Sequence, residues 1–300
     1  MPAWQSKKLK LGIYILVIVL AFQLTAGCFS FRMSPKKVDN YFESSTIKPS
    51  IESYKVDGRK VNFASIGADS LPTIIFFHGA PGSWSAFINF LANPDLNSRA
   101  KIVSVDRPGY GYSNFGNSEP SLLKQSKLLK PLLEEYSATP NILIGHSLGS
   151  PIVAKLAMMY PELVQGLVMV APSVDPELEP NETWFRLPLH TPFLRWMLPL
   201  SLRVTNDEIY FLKDELELML PDWPKIRVPV IVIQGMKDRL VPAGNATFAQ
   251  EQMTNTDVKV VRIEDMNHFV PWTHPQLIDD AIKEHLELVK KKARNNPRLN

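Results

Sequence analysis

The chain has 300 residues, 45% hydrophobic and 21% charged, which is material for one large core with a small additional layer. A single cysteine, Cys28, excludes an internal disulfide framework and any cysteine cluster for a metal. The net charge of +3 comes from Lys7, Lys8 and Lys10; without them 30 basic residues face 30 acidic ones, a neutral balance that argues against nucleic acid as a partner.

At the N-terminus that basic patch precedes an apolar run from Leu11 to Phe22 and then Gln23-Leu24-Thr25-Ala26-Gly27-Cys28. Such a run is short of the roughly 20 apolar residues of a membrane span and suits the hydrophobic region of a signal peptide. The Leu-Thr-Ala-Gly-Cys ending resembles a bacterial lipobox, which is cut before the cysteine that then carries acyl chains. Leu24 stands one place further from Cys28 than the usual leucine, and Thr25 takes its position. The resemblance implies lipid attachment at Cys28 and a domain held on a membrane outside the cytoplasm, at the periplasmic face or cell envelope; an uncleaved anchor and a plain cleaved signal peptide are the alternatives. Residues 1–27 are therefore set apart from the fold, and the polar, aperiodic stretch 28–49 reads as a tether or loosely packed lead-in.

Ile51 to Val56 and Lys60 to Ile66 alternate around Asp57-Gly58, which predicts a hairpin. Thr73 to Phe77 is a dense buried-strand run that empties into His78-Gly79-Ala80-Pro81-Gly82. Ser85 to Leu91 reads as a short helix, Ile102 to Val105 as a strand, and Leu122 to Tyr136 as a longer helix. After a further buried run at Ile142 to Ile144, a helical segment through Tyr160 leads to the strand Gly166 to Val170. Later come the strands Val228 to Ile233 and Val258 to Ile263 and a final helix, Pro275 to Val289. Strands alternating with helices predict a parallel sheet covered on both faces.

The stretch from Asn141 to Tyr160 carries the chemistry. Gly145-His146-Ser147-Leu148-Gly149 lies between a buried strand and a helix, the setting in which a serine is pushed to the apex of a strained turn. The backbone there is crowded, and Gly145 and Gly149 supply room that larger residues would fill. Ser147 is the candidate nucleophile. The same turn sets the N–H of Leu148 beside Ser147 Oγ, where charge develops on an acyl oxygen during attack.

Over about residues 50 to 292 the chain resembles the α/β-hydrolase superfamily. The motifs that carry the resemblance are His78-Gly79-Ala80-Pro81-Gly82 after the third strand, Asp106-Arg107-Pro108-Gly109-Tyr110-Gly111-Tyr112-Ser113 after the fourth, and the Ser147 pentapeptide after the fifth. The implied fold is a mostly parallel eight-stranded sheet flanked by helices, with a small helical cap inserted after strand 6. In chain terms the core runs over 50–172 and 226–292, the cap over 173–225 and a basic tail over 293–300. The family supplies its second oxyanion N–H from the residue after the His-Gly pair, here Ala80, since Pro81 has no N–H. His78 and the Asp106 motif read as braces of their loops.

The family's chain order is serine, acid, histidine. Asp238 falls on the loop after the Val228 to Ile233 strand, and His268, of six histidines, lies just beyond a late strand at the carboxyl edge of the sheet. His268 is thus assigned as general base and Asp238 as the acid that holds its tautomer. The rivals are His274, read as a cap of the last helix, and Asp175, a position where some relatives place the acid.

Residues 173–225 carry Trp184, Phe185, Phe193, Trp196 and several leucines, and the resemblance implies that their inner face forms an apolar substrate pocket. The activity implied is hydrolysis of a small-molecule carboxylic ester through an acyl-enzyme on Ser147, with no metal and no cofactor. Alternatives are a proline iminopeptidase-like amidase, a C–C bond hydrolase, or a non-catalytic binding lipoprotein.

Overall fold

In a computed structural model, residues 30–45 and 47–295 are described, together with 10, 12–14 and 17. Cys28, where acylation is expected, and the rest of the expected signal peptide lie outside the described residues. Among those residues, no helix is long and apolar enough to cross a membrane.

The hairpin forms around Asp57-Gly58 as β1 (Ser50–Val56) and β2 (Arg59–Ile66), paired antiparallel. Six further strands follow: β3 (Thr73–Phe77), β4 (Lys101–Val105), β5 (Asn141–His146), β6 (Gly166–Val170), β7 (Val230–Gly235) and β8 (Val258–Ile263). They form one eight-stranded sheet in the order β1-β2-β4-β3-β5-β6-β7-β8, parallel from β4 onward.

Strands β3 to β6 are buried along their whole length because helices cover both faces. Side chains alternate across a strand, so Ile75 and Phe77 join one core while Ile74 and Phe76 join the other. The first core is closed by α2 (Leu122–Glu135) and α3 (Gly149–Met159), through Leu128, Leu132, Ile152 and Leu156. The second is closed by Trp84, Phe87, Phe90 and the last helix, α6 (Pro275–Asn295), through Ile278, Ile282 and Leu286. That helix runs on past Val289; its last turn holds Lys292 and Arg294, cations that complement the helix C-terminus.

Segment 30–45 is not loose. Ser34 caps helix α1 (Pro35–Tyr41), and Phe42 just after it is fully buried in the second core. Upstream, Phe31 O accepts from Ser83 Oγ at 2.7 Å, Met33 O accepts from Tyr112 Oη at 3.2 Å, and the Arg32 guanidinium stacks over Tyr112 and Phe115. Charge and mixed polarity hid the single aromatic that fastens the stretch.

After β6 the chain leaves the sheet into short turns and then α4 (Leu200–Glu217), the cap. It returns through β7, α5 (Gly244–Gln252) and β8.

Candidate active site

The β5 ladder continues one step past the strand, Ser147 N–H donating to Val170 O at 2.9 Å, and then the backbone reverses at Ser147 with φ of +53°. Left-handed backbone is costly for a residue with a Cβ and persists where the surroundings enforce it. Here the enforcement is packing. A Cβ on Gly145 would meet Gly149 O at 2.6 Å, and one on Gly149 would meet Phe77 O at 2.1 Å. Both glycines are therefore obligatory at this turn, and α3 starts directly behind the serine.

The base and acid are delivered by the loops after β8 and β7. Those loops are stitched together by Met236 N–H to Ile263 O and Lys237 N–H to Met266 O, both at 2.9 Å. Gly235 sits at their crossing, where a Cβ would meet Met266 O at 2.3 Å. His268 Nδ1 donates to Asp238 Oδ2 at 2.7 Å, which leaves Nε2 as the acceptor nitrogen. Asp238 Oδ1 accepts from the N–H groups of Leu240 and Val241, each at 2.9 Å. Burial alone would raise the Asp238 pKa; the bond to His268 and those N–H groups outweigh it and hold the carboxyl below its ordinary value.

Ser147, His268 and Ala80 line one cavity of about 540 Å³. Among the described residues none accepts a hydrogen bond from the N–H of Ala80 or Leu148, so both can be directed at an oxyanion. The rivals stand elsewhere. His274 bonds Thr273 Oγ1 at the foot of α6, and Asp175 caps a short turn through the N–H of Glu177. Among the described residues no cluster of His, Cys, Asp and Glu is arranged to hold a metal.

The cavity lining corrects one expectation. None of its residues comes from 173–225; the walls are Phe31, the His78 to Ala86 loop, His146, Leu240, Phe269 and Trp272. The cap packs beside the site and leaves much of its apolar surface in solvent, Trp184 being 79% exposed. A run of aromatic residues in an insertion reports apolarity and not the direction in which it faces.

Three contributors carried no sequence signal of their own. His146, the residue before the nucleophile, donates from Nε2 to the carbonyl of His268 at 3.0 Å and meets Trp272 edge-on at 5.5 Å. Burial, followed by the neighbouring His268, pushes its pKa down to about 3, so the ring is neutral and clamps the base's backbone. Phe31 closes the cavity from the N-terminal side.

The third is Glu208 on α4, which makes a bidentate pair with Arg107 at 2.8 and 3.0 Å, their side chains only 4% and 1% exposed. Arg107 Nε also donates to His78 O at 2.8 Å, and Tyr110 Oη and Gln125 Nε2 complete the shell around Glu208. His78 Nδ1 donates to Gly79 O at 2.6 Å while its Nε2 accepts from Arg107 N–H. The cap is thereby tied to the loop that presents Ala80. Asp106 braces the same region, taking the N–H groups of Trp84 and Tyr112 and the Asn62 amide.

A family model described as the alpha/beta hydrolase fold matches residues 72–194. Protein ABHD8 of Mus musculus is 25% identical over 252 residues, covering 73% of this chain and 56% of its own length, so the chain spans about half of that curated relative. Two solved structures share the fold. A bacterial membrane phospholipase A superposes with a TM-score of 0.63 at 18% identity, covering 95% of this chain and 99% of its own. A putative lipase from Acinetobacter baumannii AYE superposes with a TM-score of 0.65 at 18% identity, covering 86% and 96%.

Proposed function

We propose that the chain is a serine hydrolase of the α/β-hydrolase superfamily that cleaves carboxylic esters with an apolar acyl or alcohol group, working through an acyl-enzyme on Ser147. One observation carries the reading: a strained serine and a histidine already oriented by a carboxylate line the same cavity. A binding module needs neither.

His268 Nε2 takes the proton as Ser147 Oγ attacks the ester carbon, and Asp238 stabilises the imidazolium. The tetrahedral oxyanion accepts from the N–H groups of Ala80 and Leu148, each such donor being worth roughly 3 to 4 kcal/mol of transition-state stabilisation. Collapse expels the alkoxide, which receives the proton from His268. Water, deprotonated by the same base, then attacks the acyl-serine and releases the acid.

Among the described residues, the cavity lining includes no carboxylate to receive a substrate's amino terminus, which favours an ester over an aminopeptidase substrate. The names of the structural relatives, a membrane phospholipase A and a lipase, point the same way. Attachment at Cys28 to a membrane outside the cytoplasm is supported by the Leu-Thr-Ala-Gly-Cys pattern. An intact mass starting at Cys28 with added acyl chains is expected; one that retains Met1 to Gly27 would remove lipidation.

For the chemistry the test is fluorophosphonate labelling with a series of p-nitrophenyl esters, wild type beside Ser147→Ala. Labelling and turnover should both vanish in the variant. A folded wild type that neither labels nor hydrolyses any ester would overturn the reading in favour of a binding protein.

A further inference from the structure

The mouth of the Ser147 cavity is built from large apolar side chains that solvent reaches. Phe31, Leu240, Phe269 and Trp272 are 46%, 62%, 50% and 50% exposed, and all four line the cavity whose floor holds Ser147 and His268. Single exposed apolar residues are ordinary on a protein surface; four around one catalytic opening mark an interaction surface. Phe31 also holds a left-handed backbone with φ of +54°, a costly state for an aromatic residue, fixed by the bond from Ser83 to its carbonyl.

The course of the chain identifies the occupant. Phe31 stands three residues after Cys28 and nine after Phe22, the last residue of the apolar N-terminal run. Nine extended residues reach at most about 30 Å, and three about 10 Å. Whether the anchor is that run or acyl chains at Cys28, the bilayer that takes it up is tethered beside the cavity mouth. Aromatic and leucine side chains at such a rim match the boundary between headgroups and acyl chains.

We infer that this rim docks on a lipid bilayer and that the ester cleaved is the acyl ester of a membrane lipid, drawn from the bilayer into the cavity. The substrate half rests on the serine-hydrolase reading; the docking half does not. Leu240 and Phe269 enter the acyl-chain boundary, and Phe31, at the end of the tether, sets the orientation. The lipid acyl group then passes from bilayer to Ser147 without crossing water.

The test uses the full chain with Ser147→Ala, carrying the photo-crosslinker benzoylphenylalanine at position 240 or at position 137, in vesicles of phosphatidylethanolamine and phosphatidylglycerol. Ser137, exposed just before β5, marks the opposite edge of the sheet. Irradiation should give lipid adducts at 240 and few at 137; equal adducts at both, or none at 240, would overturn docking. A Leu240→Ser variant with the serine intact should lose about tenfold more activity on vesicle phospholipid than on a soluble butyrate ester, the scale set by one leucine leaving an apolar environment. An unchanged ratio would overturn the bilayer as substrate source. Lipid adducts at 240 with no ester turnover by wild type would keep the docking surface and sink the hydrolase reading.

Discussion

Two segments flank the catalytic face, and their sequences advertise opposite roles. Residues 173–225 are rich in aromatic and leucine side chains and read as the pocket wall, whereas 28–49 are polar and read as a tether or loosely packed lead-in. The structure reverses them: the cap contributes nothing to the cavity lining, and Phe31 closes it. The cap is fastened through polar groups, Glu208 to Arg107, Asp207 to Ser118 Oγ and Glu215 to the N–H of Leu122, and through Leu212, Leu216 and Trp223 buried in the first core. The N-terminal segment is fastened through the buried ring of Phe42 and two backbone carbonyls. What a segment does at a site follows from where its few anchors hold it.

The largest effect belongs to the buried ion pair that ties the cap to the His78 loop. Glu208→Ala leaves the Arg107 guanidinium buried without its counter-ion, and removing one member of such a pair costs about 3 to 5 kcal/mol. Denaturant unfolding should register that loss. Because Arg107 also holds His78 O, ester turnover should fall with it even though no cap residue lines the cavity. If Glu208→Ala unfolds as wild type does, the cap is not anchored here and the contrast with the N-terminal segment dissolves.

Acid should loosen the site from the wall that Phe31 completes. His146 ordinarily titrates near 6.5, but burial holds it at about 3 in the folded chain. Between those values the unfolded chain binds a proton that the folded chain refuses. Its contribution is therefore complete above about pH 6.5 and is lost progressively as the pH falls toward 3, at up to about 1.4 kcal/mol per pH unit. Asp106 acts with the opposite sign: burial raises it from 3.8 to about 6, so it costs stability as the pH rises across that interval. Comparing His146→Gln with wild type cancels the Asp106 contribution. From about pH 7 to about pH 5 the variant should gain roughly 2 kcal/mol relative to wild type. Parallel stability curves would show that His146 is not kept neutral by the fold.

Phe31→Ala tests the wall itself. Opening the cavity there should raise KM for short-chain p-nitrophenyl esters by about tenfold, the scale of one lost aromatic contact, and move the chain-length optimum toward longer acyl groups. An unaltered chain-length profile would return residues 30–45 to the role of a plain tether.

The contrast also marks where the sequence was readable. β3 and β6 begin and end where their apolar runs do, because a strand covered on both faces must be apolar on both sides, and the edge strand β8 follows its alternation of apolar and charged residues. Ser147, Asp238 and His268 were picked out for the same local reason, each lying a few residues past an apolar run. Asp238 and His268 meet at 2.7 Å. His146 and Glu208 were not legible, since their roles depend on partners 122 and 101 residues away. Phe31 was hidden in a stretch without periodicity, and its backbone is held by Ser83, 52 residues along the chain.

The smallest expected effect is the most direct check on the cap. Trp184 is 79% exposed, touches Phe185 at 5.2 Å between ring centroids, and lines no part of the cavity. A surface substitution away from caps, buried pairs and special backbone stays within about 0.5 kcal/mol, so Trp184→Ser should leave both unfolding and soluble-ester kinetics at wild-type values. If the cap folded over the mouth during turnover, the same change would strip an aromatic from the closed pocket and KM would rise as it does for Phe31→Ala. The pair of variants therefore separates the two architectures. A KM response confined to Phe31 means that, of the two segments, only the N-terminal one shapes substrate choice; a response in both would assign the cap a place beside the bound substrate.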